Sequence, residues 1–417
     1  MRVALSLVLA ALCLAPLGAQ AEVVAREGKG YLEKRDDGKL VLHLKGSPYE
    51  MGVQQGKLLK EQVRENMLKI AKNDGEMGKK DEYLAYLFMR PAMHDMLRPH
   101  IPQRFIQEMQ GLAEGAGLDY ADVEAGNLFP AAFHCSGMAL RGKATKDGSL
   151  YHVRILDYMT QLGLQDSSLV IVHEPEGMRR WLNVGFAGFI GSVTGMNESQ
   201  VAIGEMGGNG LTFWDGMPMA FLIRDALERA TTLEEAVEIF KTTPRTCEYY
   251  YVISDGKTRD AVGIWATPQE FHTMAYGQSY GMLEKFKPSK DPAAEGKTLL
   301  KDIQLENNEY GTVFKAAGGL RGFMAFPPED TIVISGPDRY MTFVERLMEH
   351  YGEVDAPMLQ DLVKRPVSMK SNLHVAIFHP ETLEVWVAVA ASDGSPACNQ
   401  PYFRYSLAKP DSGASKK

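Results

Sequence analysis

The sequence reads HCSGM at residues 134–138 and YHVRILDY at residues 151–158, with a Lys-Asp-Gly turn signal at residues 146–148. An Asp-Gly pair between two apolar runs is typical of a β-hairpin. Because hairpin strands run antiparallel, we expect the second strand to return Arg154 to the side of Cys135. A guanidinium beside a thiol favours the thiolate, which is its nucleophilic form. The pattern therefore predicts a site suited to nucleophilic chemistry.

On the residues alone, ordinary interpretations stay open. A free cysteine is usually a small buried hydrophobe, and an arginine three positions before Asp157 usually forms a surface ion pair or a capping contact. If the partner of Arg154 is the reacting thiolate, replacing Arg154 should affect turnover far more than stability. That expectation separates the catalytic interpretation from the ordinary ones.

The order Cys-Ser, short hairpin, Arg-x-x-Asp resembles the choloylglycine hydrolase and penicillin acyltransferase branch of the N-terminal nucleophile (Ntn) hydrolases. It is most similar to the C45 family of autoproteolytic acyltransferases and hydrolases. The resemblance implies that the chain cuts itself between His134 and Cys135, which makes Cys135 the nucleophile at a new N-terminus. It also implies that Arg154 and Asp157 orient that cysteine. The implied fold is an α+β, four-layer α/β/β/α sandwich preceded by a helical pro-segment.

The chemistry that the resemblance implies follows from a free N-terminal cysteine. An α-amino group has an unperturbed pKa of about 7.7–8.0, so it can accept the thiol proton near neutral pH. The thiolate then attacks an amide or ester carbonyl and forms an acyl-enzyme on Cys135. Water or an amine resolves that intermediate, so hydrolase and acyltransferase differ only in the second nucleophile.

A third site residue is expected where SGPDRY, at residues 335–340, opens a late helix. A cation is electrostatically unfavourable near a helix start, which favours a functional role over a surface one. The family carries an arginine in a similar motif near the nucleophile, and Arg339 matches it.

Candidates for the oxyanion hole come from two turns, GMNE at residues 195–198 and EMGGN at residues 205–209. Taken alone, the first is an ordinary turn, but it resembles a recurring family feature. In the bile-salt branch an asparagine after the following strand helps to form the oxyanion hole, whereas the same register here gives Gly207. The candidates are Asn209, the backbone N–H of Gly207, and Asn197, since the task needs only a donor aimed at the developing oxyanion.

Composition narrows the function further. The 417 residues are 45% hydrophobic and carry a formal net charge of −8, which suits one large or two ordinary domains. The acidic balance argues against a nucleic-acid partner, which needs a basic face. No phosphate loop, dinucleotide fingerprint or zinc motif is found, so we expect no metal and no cofactor. The expected partner is a small-molecule amide or ester substrate.

The first 21 residues are typical of a secretory signal peptide. Arg2 supplies the positive start, residues 3–17 form a short apolar core, and Ala-Gln-Ala at residues 19–21 is a cleavage site. The apolar run is too short for a stable membrane span and is interrupted by Pro16. We therefore expect export to the periplasm or the medium.

Removal of the signal leaves three cysteines. If Cys135 is a free nucleophile, Cys247 and Cys398 could pair in an oxidising compartment. Two unpaired buried thiols are the alternative, and the sequence leaves both open.

The chain divides into a helical pro-segment (22–134), a catalytic body (135–407) and a disordered polar tail (408–417). The self-cleaved chains, residues 22–134 and 135–417, would remain associated by packing. In the body, strand-like runs in blocks separated by helical stretches indicate two sheets covered by helices.

The pro-segment contains a well-marked helix start. Ser47 and Glu50 form a capping box around Pro48, and they predict one helix that continues to about Lys72. Gly52 and its neighbour one turn later leave one face of that helix bare for close packing.

Two other functions remain open. One is a phospholipase B-like or lipid amidase activity on the same fold. The other is a non-catalytic exported protein that binds its ligand on a decayed hydrolase scaffold.

Overall fold

The computed structural model describes residues 21–72, 90–128, 135–158, 160–208, 213–277, 304–308, 311–315, 321–325 and 327–408. The helices are α1 (Pro48–Leu58), α2 (Lys60–Lys72), α3 (Gln103–Ala116), α4 (Tyr120–Asn127), α5 (Met219–Arg229), α6 (Leu233–Thr242), α7 (Pro337–Glu349) and α8 (Ala356–Leu362). Residues 90–97 are also helical.

The strands come in three groups along the chain. Those before residue 136 are β1 (Glu22–Glu27), β2 (Gly30–Lys34) and β3 (Leu40–Gly46). The central strands are β4 (Ser136–Gly142), β5 (Gly148–Asp157), β6 (Ser168–Pro175), β7 (Trp181–Phe186), β8 (Thr194–Asn197), β9 (Val201–Gly207), β10 (Tyr249–Asp255), β11 (Asp260–Ala266) and β12 (Phe271–Met274). The later strands are β13 (Gln304–Asn308), β14 (Gly311–Lys315), β15 (Arg321–Ala325), β16 (Thr331–Ile334), β17 (Asn372–His379), β18 (Glu384–Val389) and β19 (Phe403–Ser406).

Two large sheets organise the molecule. A ten-stranded sheet has the order β1-β2-β3-β6-β7-β8-β9-β10-β11-β12, and a six-stranded sheet has the order β16-β4-β5-β17-β18-β19. The strands β13, β14 and β15 form a separate three-stranded sheet. Among the pairings within these sheets, β3 with β6 is parallel.

The two large sheets pack face to face. A Cβ placed on Gly137 of β4 would lie 2.5 Å from Met206 Sδ and 3.1 Å from Val252 of the other sheet, so the two sheets approach closely at this glycine. Helices α5 and α6 cover the ten-stranded sheet, and α8 contacts β17 of the six-stranded sheet. The predicted α+β class with four layers is therefore confirmed.

The N-terminal segment is part of this architecture. Ahead of its helices, β1, β2 and β3 extend the ten-stranded sheet, and β3 pairs directly with β6. The segment thus shares a sheet and a core with the rest of the chain. Its proposed boundary at residue 134 depends on self-cleavage and stays a prediction.

The start of the first helix was predicted correctly, but its length was not. Ser47 and Glu50 form the expected capping box. The predicted helix to Lys72 is interrupted at Leu59, which has φ −126° and ψ 37°. A Cβ at Gly52 would lie 2.1 Å from the carbonyl oxygen of Glu108 in α3, so the bare face is used for close helix packing.

In the described residues, no helix is both long and apolar enough to cross a membrane. Cys247 and Cys398 are buried and unpaired, which agrees with the second of the two alternatives for these thiols. Residues 1–20 and 409–417 lie outside the described part of the chain, so the predicted signal peptide and most of the predicted tail are not seen there.

Candidate active site

The hairpin predicted from the sequence forms and brings Arg154 next to the start of β4. Strands β4 and β5 are antiparallel, with Ser136 opposite Ile155 and Gly137 opposite Arg154. Cys135 immediately precedes β4 and is 5% exposed. The cysteine therefore lies at the end of β4, beside the last residues of β5.

Arg339 joins Cys135 to Asp157. Its Nη1 donates to Asp157 Oδ2 at 2.6 Å and to Ser136 Oγ at 3.1 Å, and its Nη2 donates to the carbonyl oxygen of Cys135 at 3.2 Å. The guanidinium stands in the first turn of α7, behind Gly336 at the N-cap. The structure thus brings together residues that are 204 positions apart in the chain.

Asp157 is held from several sides. Its Oδ1 accepts a hydrogen bond from the backbone N–H of Met369 at 3.0 Å, and its Oδ2 accepts the one from Arg339. Burial raises the pKa of Asp157 to about 6, although Arg339 acts in the opposite direction. The carboxyl is therefore fixed in position, and desolvation makes it harder to ionise than an exposed aspartate.

Arg154 is buried and paired with a residue that the sequence analysis did not select. Its Nη2 donates to Glu205 Oε2 at 3.2 Å, and its Nε donates to the carbonyl of Val193 at 3.4 Å. Arg154 and Glu205 are both 0% exposed. Burial raises the pKa of Glu205 to about 7, and Arg154 lowers it. Arg154 thus connects β5 of one sheet to β9 of the other.

The environment of the Cys135 thiol differs from the one expected. Burial raises its pKa to about 11, and this outweighs the lowering by Arg154 and by a hydrogen bond from the Asp157 backbone. Glu205 and Asp157 raise it further. The charge of Arg154 acts in the predicted direction, but it does not favour the thiolate overall.

Two buried histidines, His152 and His374, lie near Arg154. Each has one ring nitrogen within hydrogen-bonding distance of a hydroxyl group rather than of the Cys135 thiol. His152 Nδ1 is 2.8 Å from Ser254 Oγ, and His374 Nε2 is 2.9 Å from Thr194 Oγ1. Burial and the charge of Arg154 lower the pKa of His152 to about 3 and that of His374 well below its usual value. Both imidazoles are therefore neutral links between the two sheets.

A largely apolar cavity lies on one side of the site. Its cavity volume is about 100 Å³, it opens partly to solvent, and its lining includes Leu156, Phe186, Phe189 and Val193. Leu156 is adjacent in the chain to Ile155, which lies opposite Ser136 in the hairpin, whereas Cys135 itself does not line the cavity. Whole ligand pockets commonly span about 300–1,000 Å³, so this cavity is large enough for only part of a small-molecule substrate.

No group of three or more His, Cys, Asp or Glu side chains suited to a metal ion is found among the described residues. The polar groups around Cys135 are instead paired with one another through Arg154 and Arg339. That arrangement can hold a nucleophile and its main chain in one geometry.

The comparison with protein families matches the same region. Residues 144–278 fit the model of the acyl-coenzyme A:6-aminopenicillanic acid acyl-transferase family. The matched segment includes Arg154, Asp157 and Glu205, and the resemblance inferred from the sequence is confirmed.

Individual relatives are similar to this chain at less than 30% identity and over only part of their length. Protein dcd1B of Dictyostelium discoideum is 29% identical over 259 residues, which cover 56% of this chain and 52% of that protein. The N-acylethanolamine-hydrolyzing acid amidase of Mus musculus is 24% identical over 174 residues, 39% of this chain and 47% of the relative. The chain spans about half the length of the curated relatives that it matches.

Among solved structures, the chain is similar to the Caenorhabditis elegans orthologue of that amidase. The identity is 16% and the TM-score is 0.40, with 66% of this chain and 100% of that chain covered.

The oxyanion candidates predicted from the sequence have different surroundings. Asn209 lies outside the described residues. Gly207 ends β9, two positions after Glu205. Asn197 lies at the opposite end of the β8–β9 hairpin, where its Nδ2 donates to the carbonyls of Leu227 and Ala230 at 2.9 and 2.8 Å. The structure therefore does not bring Asn197 to Cys135, because its amide anchors the end of α5.

Glu205 is the main residue that sequence reasoning missed. It is the one charged residue of β9, VAIGEMG, and the rest of that strand is apolar or glycine. A charge within such a strand needs a buried partner. That signal pointed to an ion pair, but the partner lies on another sheet, and the sequence pattern does not reveal how the sheets are stacked.

Proposed function

We propose that this chain is an exported, cysteine-nucleophile Ntn hydrolase or acyltransferase, which cleaves amide bonds through an acyl-enzyme on Cys135. One observation carries the proposal. The buried cysteine stands at a strand end where Arg339 holds its carbonyl oxygen and Asp157 together, next to the Arg154–Glu205 pair.

The Cys135 thiol is poorly acidic in the intact chain, and self-cleavage would supply the amine that can accept its proton. With a pKa raised to about 11, the thiol is protonated near neutral pH, and the amine that would accept its proton is still in a peptide bond. The thiol attacks the carbonyl carbon of His134, the C–N bond to Cys135 breaks, and a thioester forms. Water then cleaves the thioester, which leaves a carboxylate on His134 and restores the thiol of Cys135 beside a free α-amino group.

Arg339 and Asp157 serve as positioning residues in this scheme. Arg339 binds the carbonyl oxygen of Cys135, which is retained after cleavage, so it fixes the main chain that carries both the thiol and the new amine. Asp157 in turn is held by Arg339 and by the backbone N–H of Met369. Such fixed geometry accelerates the reaction, because even a small displacement of the reacting atoms lowers the rate strongly.

In turnover, the new amine accepts the thiol proton as the sulfur attacks the carbonyl of the substrate. The substrate C–N bond breaks, the amine departs with that proton, and the acyl group remains on the sulfur. Water hydrolyses the thioester in a hydrolase, and a second amine takes the acyl group in an acyltransferase. The oxyanion donor in both half-reactions is proposed to be Gly207 or Asn209.

The apolar cavity next to Leu156 favours a substrate with an apolar acyl group. The names of two relatives, N-acylethanolamine-hydrolyzing acid amidase and acid ceramidase, agree with an amide substrate of this kind. We therefore favour a lipid amidase over an amidase for polar acyl groups. A phospholipase B-like activity would use the same nucleophile on an ester.

Purified wild-type protein and a Cys135→Ala variant should be incubated with N-acyl amides of increasing acyl length, and the released amine should be measured. We expect release by the wild type alone. Saturable binding of these amides by both proteins, with no release by either, would instead identify the chain as a binding protein.

A further inference from the structure

The loop at residues 187–191, which follows β7, forms one wall of the apolar cavity. Gly191 and Phe189 line the cavity directly. Gly188 has φ +90°, and a Cβ there would lie 2.9 Å from Met67 in α2. The loop therefore passes close against the N-terminal segment at Gly188, where the positive φ also favours glycine.

Three amide side chains of the N-terminal segment bind the backbone of this loop. Gln55 Oε1, in α1, accepts from the N–H of Gly188 at 2.7 Å. Asn66 Nδ2, in α2, donates to the carbonyl of Ala187 at 2.7 Å. Asn127, in α4, accepts from the N–H of Ile190 at 2.8 Å and donates to the carbonyl of Gly188 at 3.0 Å.

A buried charge pair reaches the same loop. Arg224 Nη1 donates to the carbonyl of Ile190 at 2.7 Å and to Glu108 Oε1, in α3, at 2.9 Å. Helices α1, α2, α3 and α4 thus each have a side chain that binds the loop or binds the arginine that holds it. Buried peptide groups need partners, and here several of those partners come from the N-terminal segment.

We propose that Gln55, Asn66 and Asn127 are positioning residues that determine specificity. They hold the cavity wall at residues 187–191, and through this wall the N-terminal segment determines the length of the acyl chains that the site accepts. This inference rests on the proposed function, in which the cavity takes the acyl group. Loss of one of these bonds leaves a buried peptide group without a partner. The wall then moves, and long acyl chains that contact it are affected more than short ones.

The chain offers a matched pair for the test. Gln54 and Gln55 are adjacent in α1, at 3% and 0% exposure. Gln54 bonds only to the backbone of Lys45 in β3, at 2.9 and 2.8 Å, whereas Gln55 bonds to the loop. Neither side chain lines the cavity. Gln55→Met and Gln54→Met therefore remove equally buried amides from the same helix, but only one of them touches the wall.

The experiment measures kcat/KM for N-acyl amides with acyl chains from two to sixteen carbons in the full-length protein. For Gln55→Met we expect the ratio of long-chain to short-chain kcat/KM to fall by about tenfold, the effect of about 1.4 kcal/mol. The fall should lie mainly in KM. Gln54→Met should keep the wild-type ratio, and Gln55→Glu, which keeps an acceptor for Gly188, should restore most of it.

Hydrogen exchange at residues 186–192 gives a readout independent of activity. We expect faster exchange in Gln55→Met, and also in Asn66→Asp, which loses the donor to Ala187 and serves if Gln55→Met does not fold. A wild-type chain-length ratio and wild-type exchange in a folded Gln55→Met or Asn66→Asp would overturn the inference. So would an equal change in Gln54→Met. If the wild type hydrolyses no amide of any length, the proposed function fails, while the exchange result still decides whether these amides hold the loop.

Discussion

Arg154 donates a hydrogen bond of 3.2 Å to Glu205 between the two sheets, where both side chains are 0% exposed. This pairing changes what replacement of Arg154 should do. Removing one member of a buried ion pair leaves an uncompensated charge and typically costs about 3–5 kcal/mol. The buried pair therefore predicts a substantial loss of stability, which the sequence analysis did not include because it took the thiolate as the partner of Arg154.

We predict that Arg154→Ala lowers the free energy of unfolding by about 3–5 kcal/mol, measured by urea denaturation. The double variant Arg154→Met, Glu205→Gln should recover part of that loss, because no unpaired charge remains. A loss below about 1 kcal/mol for Arg154→Ala would contradict a structural role of the pair.

Replacing Arg339 should affect catalysis through the position of Cys135. In Arg339→Gln the carbonyl of Cys135 loses its donor, and we expect kcat to fall by about 100-fold per cleaved, folded molecule. Arg346→Gln is the matched control on the same helix, since Arg346 donates to the carbonyls of Leu362 and Lys364 and not to the site. Equal activity of the two variants would remove Arg339 from the site.

His152 should make stability depend on pH. Its pKa is lowered to about 3, whereas a histidine in the unfolded chain titrates near 6.5. Between these values the unfolded chain binds a proton that the folded chain does not. The stability from neutral His152 is therefore complete above pH 6.5 and is lost as the pH falls toward 3.

His152→Gln removes this dependence. As the pH falls below 6.5, the wild type should lose stability relative to the variant by about 1.4 kcal/mol per pH unit. Denaturation curves at pH 7, 6, 5 and 4 measure this difference, and the shared carboxyl titrations cancel in it. A difference that stays constant over this range would show that His152 is not neutral in the fold.

Export is a further prediction, based on the charged start, apolar core and Ala-Gln-Ala site of residues 1–21. Expression with a native signal should give protein in the periplasm or medium whose N-terminus is Glu22. N-terminal sequencing checks this, and Met1 on the exported protein would refute signal removal.

Much of the fold could be predicted from the sequence because its signals are local. Alternating apolar residues around a Lys-Asp-Gly turn predict the β4–β5 hairpin, and the observed opposition of Gly137 and Arg154 follows from that register. The start of α6 shows a limit of such local signals, because the Thr-x-x-Glu capping pattern occurs there twice, beginning at Thr231 and at Thr232. Thr231 and its neighbour Thr232 bind Glu235 rather than Glu234, and both glutamates fit the same sequence pattern.

The contacts between the sheets could not be predicted in this way. Glu205 reaches Arg154, and His374 reaches Thr194, only because β9 and β17 belong to sheets stacked at a particular offset. That offset depends on the packing of many side chains, and no periodicity in one strand encodes it. The resemblance to a family suggested Arg339, whereas the partner of Arg154 became visible only in the fold.

Self-cleavage between His134 and Cys135 is the claim on which the proposed mechanism depends. The most direct test is the intact mass of purified wild-type protein and of Cys135→Ala. We predict two wild-type chains, residues 22–134 and 135–417, that copurify, and one uncut, inactive chain for Cys135→Ala. A wild-type protein that remains a single chain and yet hydrolyses amides would contradict the N-terminal nucleophile mechanism and would require an ordinary cysteine hydrolase in its place.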